Sequence, residues 1–186
     1  FAALKNDGTV VAWGSIDHAG GDISAPANLT GVVSISSTAH AFAALKDDKT
    51  VVAWGSQQHQ NGVISAPAGL SDVVSIYSTN NAFAALKTDK TVVAWGLSYN
   101  GGDSSAEQDD LINVKSIYST LTAFAALKTD GSVVTWGNSI YGGGDSSAVQ
   151  NDLTNVQTIY SNSGAFAALK TDGSVVTWGR SGYGDD

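Results

Sequence analysis

The 186 residues contain no cysteine, no methionine and only two prolines. Without cysteine, neither disulfides nor thiolate metal sites contribute to the fold, and the redox compartment is left open, because a cysteine-free repeat protein works equally well inside or outside the cell. Without methionine the chain lacks an initiator of its own, and it is expected to be a processed or excised piece of a longer one. Positive charge is scarce too: nine Lys and Arg stand against seventeen Asp and Glu, a formal net charge of −8. That balance opposes the counterion-release attraction that drives binding to phosphate backbones, so nucleic acid is not an expected partner. Apolar runs such as Ala82–Leu86 fall far short of the roughly 20 residues a membrane-spanning helix needs. No stretch has the form of a secretory leader, and direct membrane insertion is not expected.

What the chain does have is repetition. Tryptophans stand at Trp13, Trp54, Trp95, Trp136 and Trp178, spaced by 41, 41, 41 and 42 residues. A fixed period of this size signals a repeat architecture before any residue-level assignment. Within each period a run such as VVSIYS is followed by AFAALK and then by TVVAWG. AFAALK is made of good helix formers, but it is short and meets a turn at once: Asp7–Gly8, Asp130–Gly131 and Asp172–Gly173, with Asp48–Lys49 and Asp89–Lys90 in the other copies. Asp–Gly between apolar runs is a hairpin signal, since glycine takes positive φ without steric cost. The β-branched run that follows suits a pleated strand. The period therefore predicts three short antiparallel strands per unit, with Phe42, Ala44 and Lys46 on one face and Ala43 and Leu45 on the other. Such sheets bury little alone and need a neighbour on each side, which is the logic of a β-propeller. The expected architecture is all-β: a propeller of about 41-residue units, each of three to four short strands, over approximately 1–31, 32–72, 73–113, 114–155 and 156–186, all in one repeat domain.

The unit VKSIYSTLTAFAALKTDGSVVTWG at 114–137 resembles the repeats of the regulator of chromosome condensation family through VxxI, then ALKxDGxVVxWG, then a glycine-bearing loop. The period and the SAPA segments at 24–27 and 65–68 bring it nearest to the short-blade branch, the propeller-type β-lactamase inhibitors, with similar tracts in bacterial surface proteins. A WD-repeat propeller has a comparable period, but no Trp–Asp dipeptide occurs and every tryptophan precedes glycine. The resemblance implies rings of seven blades. Five hairpins but only four VxxI strands are present, so the expectation is an incomplete ring or arc, completed by flanking sequence or by another chain. It implies no activity, because fold does not dictate function.

From the Val of VxxI to the next Phe the spacing is always ten, and length varies only after Trp–Gly. The copied part reads as packing and the uncopied part as surface, where binding residues concentrate. Two loop zones follow as candidates. After Trp–Gly stand His18, His59, Tyr99, Tyr141 and Tyr183, a row of planar side chains of the kind favoured at interfaces. Before each Phe stand His40, Asn81, Thr122 and Gly164, at the place where the resemblance implies aromatic contact residues of an inhibitor; none of them is aromatic in the sense of Phe, Tyr or Trp. Three scattered histidines do not make a metal site. The GGD stretches at 20–22, 101–103 and 143–145 disperse their oxygens too widely for the six to eight ligands of calcium and fit tight turns. YGGGD at 141–145 lacks the Lys–Ser/Thr pair of a phosphate loop, and no nucleophile, base and acid stand together. The lysines beside the hairpin turns are expected to be solvated. The sequence thus points to a non-enzymatic scaffold without a cofactor, for protein binding or cell-surface display in a larger bacterial extracellular or adhesin-like protein. An enzyme inhibitor and a glycan-binding propeller are the alternatives, so the expected partner is a protein or a glycan.

Overall fold

Each apolar run of the repeat forms a strand. The computed structural model describes residues 1–14, 24–55 and 65–183. Within them run β1 (Ala2–Leu4), β2 (Val10–Ala12), β3 (Val32–Ser37), β4 (Ala41–Lys46), β5 (Val51–Gly55), β6 (Val73–Ser78), β7 (Ala82–Lys87) and β8 (Val92–Gly96). They continue with β9 (Val114–Ser119), β10 (Ala123–Lys128), β11 (Val133–Gly137), β12 (Val156–Ser161), β13 (Ala165–Lys170) and β14 (Val175–Gly179). Helix among the described residues is confined to two single 3-10 turns, Ser98–Asn100 and Gln150–Asp152. The strands make four three-stranded antiparallel sheets, each with its AFAALK strand in the middle, and one two-stranded sheet, β1–β2. The helix-forming composition of AFAALK is overridden because pairing on both edges satisfies all its backbone groups.

The hairpin turns are three residues long. In the fourth unit Gly131 N–H donates to Lys128 O (3.1 Å) and Lys128 N–H to Ser132 O (2.9 Å), with Gly131 at φ +82°. This is a type I turn closed by a left-handed residue, a geometry that calls for glycine. Asp130 Oδ1 accepts both the N–H (2.9 Å) and the hydroxyl (2.6 Å) of Ser132, which holds its carboxyl below the usual carboxylate range. Asp7, Asp48, Asp89 and Asp172 do the same with Thr9, Thr50, Thr91 and Ser174. The lysines beside these turns are not all simply solvated: Lys46 pairs with Asp48 at 2.8 Å and Lys87 with Asp89 at 3.4 Å, their side chains about three-quarters covered. Their stems lie along the hairpin, as long charged side chains do when only the head stays in water.

Each unit is tied to the next through its turn. The carbonyls of Gly8, Lys49, Lys90 and Gly131 accept the N–H of Val32, Val73, Val114 and Val156 at 2.9–3.1 Å. The residue before each of these valines, Gly31, Asp72, Asn113 or Asn155, is itself left-handed, at φ +56° to +69°. Immediately afterwards a β-bulge inserts one residue, for example Val33 between Val32 and Ser34. These types tolerate positive φ, and the bulge twists the strand away from the turn.

The core lies between sheets. Phe and Trp of one hairpin are cross-strand partners, as Phe124↔Trp136, with ring centres 5.1 Å apart. This pair packs on the alanines of the preceding unit, Ala82 and Ala84, and with Leu86 and Leu111 makes one cluster. The same cluster recurs with Phe166 and Trp178 on Ala123 and Ala125, and with Phe83 and Trp95 on Ala41 and Ala43. Alanine on the receiving face admits the bulky pair on the arriving one. The first strands of successive units adjoin, and the turns that follow them form a backbone ladder: Ala39 N–H to Asn80 O, Asn80 N–H to Leu121 O and Leu121 N–H to Ser163 O, at 2.8–3.1 Å. The sheets are therefore radial, with these turns nearest the axis. No strand pairing joins the first sheet to the last, and the free edge of β1 carries no strand among the described residues. The result is an open arc of a propeller, with Phe1 80% and Trp13 51% exposed.

Lys49 (φ +65°) and Lys90 (φ +66°) occupy the turn position that is glycine elsewhere. Lys49→Gly and Lys90→Gly are each expected to raise stability by about 0.5–1 kcal/mol, the left-handed penalty less glycine's entropy cost. Gly131→Lys should lower it, since its Cβ would also meet Asn155 Cα at 3.1 Å. Urea denaturation of the three variants measures this.

Candidate functional site: the loops after Trp–Gly

The loops that leave β8, β11 and β14 are built on one plan. The first residue of each donates its N–H inward: Leu97 to Asn81 O, Asn138 to Thr122 O and Arg180 to Gly164 O, all 2.9 Å. Further along, a carbonyl of the loop accepts from the turn between the first two strands of its own unit. Thr79 Oγ1 donates to Asn100 O (2.9 Å), Thr120 Oγ1 to Gly142 O (2.9 Å) and Asn162 Nδ2 to Tyr183 O (2.7 Å). The same side chains accept the N–H of Ala82, Ala123 and Ala165, so one polar group binds scaffold and loop together.

The next unit grips the loop from outside. Trp136 Nε1–H donates to Gly101 O (3.0 Å) and Trp178 Nε1–H to Gly143 O (3.1 Å). Gly101 is left-handed, and a Cβ there would lie 2.7 Å from Phe124 Cδ2. No larger residue fits where the neighbour's Phe–Trp pair meets the loop. The tryptophans are thus core residues, Trp136 being 1% exposed, and also clamps on the preceding loop.

On this frame Tyr99, Tyr141 and Tyr183 are all exposed. The structure brings two of them together. The guanidinium carbon of Arg180 lies over the ring of Tyr141 (5.2 Å to its centre) and over that of Tyr183 (4.8 Å). Gly164 lies beneath the trio, its hypothetical Cβ 3.3 Å from Tyr183 Cδ1 and 3.4 Å from Arg180 Cβ. No ring contact among the described residues joins Tyr99 to them. His18 and His59 lie outside the described residues.

His40, Asn81 and Thr122 are half-buried. The carbonyls of Asn81 and Thr122 anchor the loops, and a Cβ on Gly55 would come within 2.5 Å of His40 O. Their backbone is scaffold more than contact surface. Among the described residues Thr122 Oγ1 is the one buried side-chain polar atom without a hydrogen-bond partner. Arg180 and the pinning residues Thr79, Thr120 and Asn162 did not stand out in the sequence reading. The signal for the latter was a Thr, Thr, Asn series at one repeat position.

An open groove of about 550 Å³ lies between the loops of the third and fourth units, lined by Glu107, Asp110, Asp145, Thr135, Ser146 and Gln150. Burial pushes the Glu107 carboxyl up, with Asp103 and Asp110 adding to the effect. Asp103 and Asp145 are held low by the N–H groups of Ser105 and Ser147. Among the described residues no three His, Cys, Asp or Glu converge as metal ligands would.

No family model and no curated protein matches the chain in sequence. Solved structures do. Prp20p of Saccharomyces cerevisiae, the yeast RCC1, superposes with a TM-score of 0.65 at 22% identity, over 97% of this chain and 55% of that one. The ectodomain of the receptor kinase CR4 of Physcomitrella patens gives a TM-score of 0.64 at 19% identity, over 96% and 49%. That of ACR4 of Arabidopsis thaliana gives 0.57 at 17%, over 97% and 63%. The chain spans about half the length of these proteins. At such identities they establish the fold, a propeller of the regulator of chromosome condensation type.

Thr120→Val keeps the shape but removes the donor to Gly142 O and the acceptor of Ala123 N–H. It should cost about 1–3 kcal/mol and accelerate amide exchange in the 138–144 loop ahead of the strands. Hydrogen exchange followed by NMR reads both.

Proposed function

We propose that the chain is a non-enzymatic propeller scaffold that binds a protein partner through the loops after Trp–Gly. The observation that carries this reading is the exposed group Tyr141, Arg180 and Tyr183, the first mounted on a loop held from two sides and the other two on a loop pinned by Asn162. Tyr and Arg dominate the energetic centres of protein interfaces, and loops fixed before binding lose little entropy on binding. Structural neighbours agree in kind: one was solved with Kap60 bound to yeast RCC1, another was examined for binding to Gsp1p and histones, and two are receptor ectodomains. The repetitive polar loops and net charge of −8 suit display at a cell surface within a larger bacterial extracellular or adhesin-like protein. The free edge of β1 would then be covered by flanking sequence or another chain, since an open edge invites uncontrolled pairing.

The exposed tyrosines also favour a second reading, a propeller that stacks glycan rings on them. An inhibitor of β-lactamase type has less support, because His40, Asn81, Thr122 and Gly164 put no aromatic contact where that resemblance implies one. The test is affinity capture from cell-surface extracts with the chain and with Tyr141→Ala/Tyr183→Ala, run beside a glycan array. A protein retained by the chain and lost with the variant is the expected result. Glycan binding lost in the same variant would replace the protein reading with the second one, and capture indifferent to the substitutions would remove these loops as the site.

A further inference from the structure

The third strand of each three-stranded sheet has no strand beside its outer edge among the described residues. In β11 the pairing fixes which groups that edge presents. Lys128 N–H donates to Ser132 O at 2.9 Å, and hydrogen-bonded pairs recur at every second residue of an antiparallel ladder, here Ala126 with Val134 and Phe124 with Trp136. The N–H and C=O groups of Val133 and Thr135 therefore point outward. The fold supplies a donor for one of them: Gln150 Nε2 donates to Val133 O at 3.1 Å, as Gln108 Nε2 does to Val92 O of β8 at 3.2 Å. Two residues along, no described residue bonds the N–H or the C=O of Thr135, although that residue is only 9% exposed. Buried backbone groups are nearly always paired.

Thr135 lines the groove of about 550 Å³ between the third and fourth units. Glu107 and Asp110 come to it from the third unit's loop, and Asp145, Ser146 and Gln150 from the fourth's. Both walls are fastened. The N–H groups of Asp110 and Leu111 donate to Glu107 O at 3.0 Å, while Ser146 Oγ meets Thr135 Oγ1 at 3.0 Å and donates to Gln150 Oε1 at 2.7 Å. The lining carries three carboxylates and no Lys, Arg or His, and neither ion pair among the described residues uses them. The third and fourth units are inner members of the array, so the repeat itself bounds this groove.

We infer that the groove takes an extended peptide segment of a partner protein with lysine or arginine at alternate positions, which pairs its backbone with Thr135 on the edge of β11 and sets its cations against Glu107 and Asp110. This rests on the reading of the loops after Trp–Gly as a protein-binding surface, since both walls are such loops. An added strand satisfies the groups that a sheet edge leaves open; its main-chain bonds give affinity and its alternate side chains give specificity. Every second residue of that strand faces the same wall, so a basic residue at each second place matches the acidic side. Charge complementarity selects such a segment over an acidic or neutral one.

The Thr135 amide reports on this edge directly. The 15N-labelled chain is titrated at matched ionic strength with N-acetyl-Val-Lys-Val-Lys-Val-amide, with its Gln counterpart N-acetyl-Val-Gln-Val-Gln-Val-amide, and with the Lys peptide N-methylated at every residue, which keeps the charge but cannot donate to the edge. The first is expected to shift the Thr135 amide saturably and to slow its hydrogen exchange, and the other two to bind about fivefold more weakly. Glu107→Gln/Asp110→Asn should weaken the Lys peptide about fivefold and leave the Gln peptide unchanged, whereas Tyr141→Ala/Tyr183→Ala should leave both unchanged. Equal affinity for the Lys and Gln peptides or for the methylated one, affinity unmoved by the carboxylate substitutions or lost with the tyrosines, or no saturable shift at Thr135 overturns the proposal. Those outcomes would not decide the scaffold reading, which stands or falls with the capture of a protein through Tyr141 and Tyr183.

Discussion

One contact holds this molecule together: the stacked Phe–Trp pair of each hairpin after the first, set into the face of the unit before it. Each aromatic buries on the order of 150–250 Å², and a three-stranded sheet of five- and six-residue strands has no other apolar mass of that size. The pair is a fixed knob, stacked at 5.1–5.4 Å in all four later units. Alanine opposite is therefore a requirement of shape, since larger side chains would hold the sheets apart. No unit completes its own core, and stability is shared among neighbours as in other linear repeat arrays.

The same contact explains how function is separated from folding without being disconnected from it. The tryptophan that fills the junction also holds the loop of the preceding unit through its indole N–H. Side chains on such loops, Tyr99 and Tyr141 among them, can change without touching the junction, while their backbone stays fixed by it. The fifth unit shows this freedom used: Arg180 stands where the fourth unit has Asn138, whose side-chain oxygen accepts the N–H groups of Ile140 and Tyr141, and the backbone turn survives, Tyr183 N–H donating to Arg180 O.

Much of this was readable beforehand. The period of the tryptophans, the Asp–Gly turns and the alternation in AFAALK led to three antiparallel strands per unit, a radial arrangement and an unclosed ring, because each depends on local pattern. What escaped the sequence depends on contacts between units. Thr79, Thr120 and Asn162 look like ordinary turn residues until a loop 21 or 22 residues away supplies the carbonyl they bind. Lys49 and Lys90 give no hint of a left-handed backbone, since it is the glycines at matching positions that reveal the turn's demand. Arg180 and Tyr141 come from different units, and only the arc brings them within 5.2 Å.

The account's central claim is that neighbouring units fold on one another's aromatic pairs, and Phe124→Ala tests it most directly. Phe124 is fully buried between the third and fourth units. Its truncation is expected to cost about 3–5 kcal/mol and to speed amide exchange in β7 of the third unit as much as in β10 of the fourth. Faster exchange confined to the fourth unit, with β7 unchanged, would show that units are stable on their own and would contradict the account.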